Sequence, residues 1–117
     1  MLLRVEEYLR EDGSSPYRDW FNDLDAAHAA NVSVAVLRLS QGNTSSIKWF
    51  DGLGEIRIDW GPGLRVYLAK DGGTLVVLFG GGTKSTQPRD VRRAKALMLE
   101  YKLRKRALAA ADTKQRT

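Results

Sequence analysis

The 117-residue chain has no cysteine, one histidine, three prolines and two methionines. Without cysteine there are no disulfides, no thiolate metal sites and no sulfur nucleophile, and the redox state of the compartment leaves no trace. With His28 as the single histidine, proton transfer between two histidines is excluded. Its place in an alanine-rich segment assigns it a structural or exposed role. No apolar run approaches the ~18 residues that cross a bilayer, and no secretory signal is evident, so the cytoplasm is the expected compartment. Carboxylates are scattered, with no Asp-x-Asp cluster and no helix-borne pair, which argues against a dedicated metal site. A phosphate-binding loop is also excluded. Gly80-Gly81-Gly82-Thr83-Lys84-Ser85 follows an apolar run, but that motif needs glycine directly before the lysine and again five positions earlier, where Thr83 and Leu78 stand.

What remains is a folded chain, 43% hydrophobic and 9% aromatic, with a net charge of +5. Its length suits one domain, expected over residues 1–106, with 107–117 as a frayed tail. The charge is unevenly placed. Residues 1–37 carry three basic and seven acidic side chains, whereas residues 38–106 carry fourteen basic and six acidic. A domain polarised in this way suits a polyanionic partner, RNA or DNA first.

In chain order, residues 2–9 read as a strand that ends at the turn Asp12-Gly13-Ser14-Ser15. Ser15 and Pro16 start a helix, serine as cap and proline in the first turn. That helix runs to about Leu24 and buries Tyr17, Trp20, Phe21 and Leu24. A second helix spans about Asp25 to Leu39, with Ala29, Val32, Val36 and Leu39 inward, so the two form a helical hairpin. Ile47 to Phe50 is a short strand. Thr74 to Phe79 is an unbroken apolar strand covered on both faces. Gly80-Gly81-Gly82 then releases the chain, and Pro88 opens a last helix to about Arg106. The order β-α-α-β-β-β-β-α predicts an α+β domain with a mostly antiparallel sheet.

The most informative stretch lies between the short strand and the apolar one. Ile56, Ile58 and Trp60 alternate with Glu55, Arg57 and Asp59. After Gly61-Pro62-Gly63, Leu64, Val66 and Leu68 alternate with Arg65 and Tyr67. This pattern predicts a β-hairpin with one dry and one wet face. Matching the dry faces requires paired residue numbers to sum to an even value such as 122 or 124. Arg57 and Arg65 then share the wet face, where like charges repel but can together hold a phosphate. Lys48 and Lys84 join them if the sheet is a meander, and Trp49 and Tyr67 alternate with these cations as stacking candidates for bases.

Gly42-Asn43, Lys48, Gly54-Glu55-Ile56-Arg57-Ile58, Gly61-Pro62-Gly63, Arg65-Val66-Tyr67, the apolar strand, Gly81-Gly82-Thr83-Lys84, Gln87 and Asp90-Val91 occur in an order and spacing that resemble a known family. It is the phage-derived, HigB-like "addiction module killer protein" group of the RelE/ParE toxin superfamily. The Trp20-Phe21 helix and the Arg38-Leu39 helix end fit as well, so the likeness covers roughly residues 15–101. It implies a RelE-like fold and the toxin of a type II toxin-antitoxin system. The implied activity is ribosome-dependent, metal-independent and cofactor-free mRNA cleavage that stops translation, and the implied partners are a helix-turn-helix antitoxin, the ribosome and mRNA. Arg57 and Arg65 match cleavage-site arginines of ribonuclease members, and Lys48 and Lys84 match positions typically basic. Leu64 stands where tyrosine often follows Gly-Pro-Gly, and Thr83 where many relatives carry aspartate. The histidine and tyrosine that move protons in some relatives have no clear counterpart, Tyr101 being the nearest. On this reading Arg57 and Arg65 stabilise phosphoryl charge, and Lys48 or Lys84 acts as general base or acid. Trp49, Tyr67, Arg89, Arg92, Arg93, Lys102 and Arg104 contact RNA or the ribosome. The alternative within the superfamily is a ParE-like inhibitor of DNA gyrase that cuts no RNA, or an inactive chain that only binds an antitoxin.

Overall fold

Two capping side chains begin the helical part of the chain. The Ser15 hydroxyl accepts from the Arg18 amide at 3.0 Å, and the Asp25 carboxylate accepts from the His28 amide at 2.8 Å, each satisfying an amide that a first helical turn leaves open. A computed structural model describes residues 1–116, with Thr117 outside it. It comprises β1 (Arg4–Glu7), α1 (Pro16–Asn22), α2 (Ala26–Ser40), β2 (Ile47–Phe50), β3 (Leu53–Ile58), β4 (Leu64–Asp71), β5 (Leu75–Thr83), a 3-10 turn (Lys84–Thr86) and α3 (Gln87–Arg116).

The sheet order is β1-β5-β4-β3-β2. Strands β2 to β5 form an antiparallel meander, and β1 returns to pair in parallel with β5, Arg4 opposite Leu75. The domain is therefore α+β with a mixed five-stranded sheet. One face carries Ile56, Leu64, Val66, Leu68, Val76 and Leu78, packed with Tyr17, Val32 and Leu39 from α1 and α2. The other carries Leu53, Tyr67, Ala69, Val77 and Phe79, packed with Ala94, Leu97 and Met98 from α3.

That second layer corrects the reading of the hairpin. The register sums to 122, with Arg57 directly opposite Arg65, but the polar-looking face is largely dry. Glu55 and Tyr67 are fully buried and Arg65 is 4% exposed. The alternation of residue type marked the two faces correctly, yet α3 covers the face taken for solvent. Trp60, expected on the dry side, lies past the end of β3 and is 46% exposed.

Two boundaries move as well. Gly80-Gly81-Gly82 does not release the chain but continues β5 to Thr83, with Phe79 as an extra residue between the pairs Tyr67–Gly80 and Leu68–Leu78. The last helix does not end at Arg106 but continues through residues 107–116 of the expected tail. Ala107, Leu108, Ala109, Ala110 and Ala111 are strong helix formers with no glycine or proline among them. Apolar periodicity stops there because the helix has left the sheet, and propensity carries it on.

Gly81 and Gly82 let both layers close on β5. A Cβ at Gly81 would lie 2.5 Å from the Trp20 ring and from the Arg65 carbonyl oxygen, and one at Gly82 would lie 1.8 Å from an Asp90 carboxylate oxygen. Gly81→Ala and Gly82→Ala should each lower unfolding free energy by about 1–3 kcal/mol or more through overpacking. Gly73→Ala, whose Cβ meets nothing within 4 Å, should stay within about 0.5 kcal/mol. Urea midpoints at an unchanged slope test this. Equal stability of all three variants would refute the tight closure.

Candidate functional site

The cross-strand register brings Lys48, Glu55, Tyr67 and Gly80 into one row across the sheet, and Arg57, Arg65 and Gly82 into the next. At the centre sits the Glu55 carboxylate, fully buried. It accepts from Arg57 Nε at 2.9 Å and from Gln87 Nε2, at the start of α3, at 2.6 Å. Burial disfavours its charge, but the hydrogen bonds from Arg57 and Gln87 outweigh that, and its pKa is held below the ordinary 4.5. A buried charge persists only when paired and hydrogen-bonded. Glu55 therefore fixes the Arg57 stem against the sheet and ties hairpin to helix.

The two arginines have diverged in role. The Arg57 side chain is 43% exposed, and its terminal nitrogens have no hydrogen-bond partner among the described residues. The Arg65 guanidinium turns back to the carbonyl oxygens of Gly63 at 3.1 Å and Leu64 at 3.2 Å, so it staples the turn that precedes it. Gly61 and Gly63 adopt φ of 60° and 70°, which glycine tolerates readily. Lys84 is exposed, and its amide donates to the Gly63 carbonyl at 2.9 Å, holding the 3-10 turn against the hairpin tip. Thr83, Thr86 and Asp90 continue this support, with Thr86 donating to Asp90 at 2.5 Å. Lys48 is exposed on the same face as Glu55.

Other expected contacts fall elsewhere. Tyr67 is fully buried beneath α3, so its ring is not presented to a base. Burial, then the Glu55 charge, pushes its hydroxyl pKa up. Trp49 is 46% exposed but shares the sheet face of Ile47 and Gly54, opposite to Lys48. Arg89, Arg92, Arg93 and Lys102 are exposed along α3, Arg89 lying 3.3 Å from Asp90. Arg104 instead anchors α3, donating to the Leu9 carbonyl at 2.7 Å and the Tyr8 hydroxyl at 3.2 Å. Tyr101 hydrogen-bonds Asp71, and burial together with that carboxylate pushes its pKa up to about 12. It sits at the opposite end of β4 from Arg65, six residues or about 20 Å along the strand.

Sequence reasoning treated Glu55 as a solvent-facing residue, and the unbroken apolar β5 beside β4 was the available sign that both sheet faces are covered. It also gave His28 no contact. His28 Nδ1 lies 2.6 Å from Asp25, its ring packs edge-on to Trp60 at 4.9 Å, and its buried Nε2, without a partner among the described residues, faces Gly61. That placement braces the hairpin tip from the α2 side.

These features define an α+β protein whose mixed sheet carries an arginine-bearing hairpin tip between two helical layers. No family model matches the chain. It belongs to one family with an uncharacterized protein of Haemophilus influenzae, 43% identical over 89 residues that cover 74% of this chain and 90% of that protein. Among the described residues no helix is long and apolar enough to cross a membrane.

Because the folded Glu55 pKa is depressed, its stabilisation is complete above the ordinary 4.5 and is lost as pH falls through the lower folded value. Glu55→Gln should make the acid limb of stability shallower. It should not abolish that limb, since Lys105 holds Asp71 low and Arg10 holds Glu100 low as well. Urea midpoints between about pH 6 and about pH 3 measure it. An unchanged acid limb would place the Glu55 charge outside the fold's support.

Proposed function

We propose that the chain is the toxin of a type II toxin-antitoxin pair, a HigB-like member of the RelE/ParE superfamily that cuts mRNA on the ribosome in the cytoplasm and so stops translation. The RelE-like identity of the topology, including α1 and α2 as an N-terminal helical hairpin, belongs to this proposal. The observation that carries it is the Arg57 guanidinium. One nitrogen is fixed by a buried carboxylate, and the remaining donors are left for an anion, with exposed Lys48 opposite Glu55 on the neighbouring strand and exposed Lys84 against Gly63 at the hairpin tip.

In the proposed reaction the ribose 2′-hydroxyl attacks the adjacent phosphorus, a 2′,3′-cyclic phosphate forms and the 5′-oxygen leaves with a proton. Arg57 meets charge building on the phosphoryl oxygens, where preorganised donors act most strongly. Lys48 and Lys84 are the candidates to take the hydroxyl proton and protonate the leaving oxygen. Arg65 holds the Gly-Pro-Gly tip in place and adds positive charge behind it. No side chain here is an obvious strong general base, which suits an enzyme whose substrate is oriented by the ribosome. Arg89, Arg92, Arg93 and Lys102 suit contacts with ribosomal RNA, and a helix-turn-helix antitoxin is the proposed neutralising partner, steered by the same positive charge.

Expression without an antitoxin should arrest translation, with new 5′ ends inside translated codons by primer extension. Arg57→Ala should slow single-turnover cleavage on programmed ribosomes by on the order of 10²–10³. Arg57→Lys should recover little, since an ammonium lacks the planar fork. Intact mRNA with induced DNA damage would replace this reading with gyrase inhibition.

A further inference from the structure

Strand β2 pairs with β3 only as far as Ile47 opposite Ile56, so among the described residues the β3 edge from residue 57 onward has no strand on that side. A groove of about 400 Å³ opens between this edge and α2, lined by Asn31, Arg38, Asn43, Arg57, Asp59 and Trp60. Arg38 is exposed and makes no ion pair among the described residues. Arg57 borders the groove while its Nε is held by Glu55 on the α3 side, and its terminal nitrogens have no hydrogen-bond partner among the described residues. Trp60 is 46% exposed and held in place by the His28 ring.

We infer that this groove is a subsite for one nucleotide of single-stranded RNA, with its phosphate between Arg38 and Arg57 and its base on Trp60. The inference rests on the ribonuclease reading for its ligand class and adds a path: the strand rounds the open β3 edge from the hairpin face to the α2 side. Two arginine forks suit a phosphodiester, and an exposed indole suits any base. Asp59, and the amide donors and acceptors that Asn31 and Asn43 keep beyond their bonds to the Ala27 carbonyl and the Ser45 hydroxyl, serve a base edge or a ribose hydroxyl. A polyglutamate peptide would lack a ring to stack on Trp60.

The test uses the full chain and a fluorescein-labelled single-stranded hexaribonucleotide, followed by anisotropy. Trp60→Ala should weaken binding about 5–100-fold, the range for one stacked base, while Trp60→Phe retains most of the affinity. Arg38→Ala should weaken binding and reduce the salt slope by about one. Arg106→Ala, far along α3, controls for lost net charge. Circular dichroism confirms folding, and the surface position of Arg38 keeps the test valid should Trp60→Ala fail to fold. Wild-type-like affinity of Arg38→Ala, competition by a glutamate decapeptide but not by uridine monophosphate, or no RNA binding by the wild type would each overturn the subsite. Cleavage on programmed ribosomes separates the two claims. RNA binding through Arg38 and Trp60 without cleavage sinks the ribonuclease reading alone, and cleavage with undiminished affinity of both variants sinks the subsite alone.

Discussion

The closure of two helices on one bare stretch of strand governs this structure. At Gly81 the Trp20 ring of α1 occupies the place of a side chain, and at Gly82 the Asp90 carboxylate of α3 does so from the other face. Packing of this density leaves no room for a methyl group on either side. Because α1 and α3 meet β5 so closely, the adjacent β4 is buried from Leu64 to Ala69, and polar groups at 55, 65 and 67 are drawn under α3. The site's electrostatics follow from that burial.

A carboxylate in such a place would be expelled or neutralised without partners. Glu55 keeps its charge because Arg57 and Gln87 donate to it, one from its own strand and one from the helix that covers it. The bond also answers the repulsion expected between Arg57 and Arg65 directly across the ladder. Arg57 is drawn towards Glu55, while Arg65 folds onto the carbonyls of Gly63 and Leu64. A pair that looked like a symmetric clamp in the sequence is an exposed arginine with a buried staple behind it.

Much of the fold was legible. The Ser15 cap, the two helices, the hairpin and the even register that 122 satisfies all follow from spacing and turn chemistry; the Asp25 cap and the choice of 122 over 124 do not. The buried status of the second hairpin face did not, because Glu, Arg and Tyr at alternate positions carry no mark of the helix that covers them; only the continuously apolar β5 beside them hinted at a second layer. The length of α3 beyond Arg106 escaped for a different reason. Periodicity reports packing, and those residues are helical without being packed.

The charge asymmetry changes meaning once the fold is known. Arg104, expected to contact RNA or the ribosome, serves the helix's own docking by binding Tyr8 and Leu9, and two further α3 cations do likewise, Lys95 pairing with Asp51 and Lys105 with Asp71. Exposed pairs of this kind contribute little; the side of α3 that faces the sheet is set by Ala94, Leu97 and Met98, and these cations are occupied at its flanks. What remains for a partner is narrower: the exposed Arg92, Arg93 and Lys102 of the helix, Lys84 beside the hairpin tip, Arg57 near it, Lys48 on β2 opposite Glu55, and Arg38 across the β3 edge. A polyanion following these groups must pass Arg57, the one member of the set held by a buried carboxylate. Its orientation is fixed before any ligand arrives, whereas flexible lysines must be ordered on binding at an entropic cost.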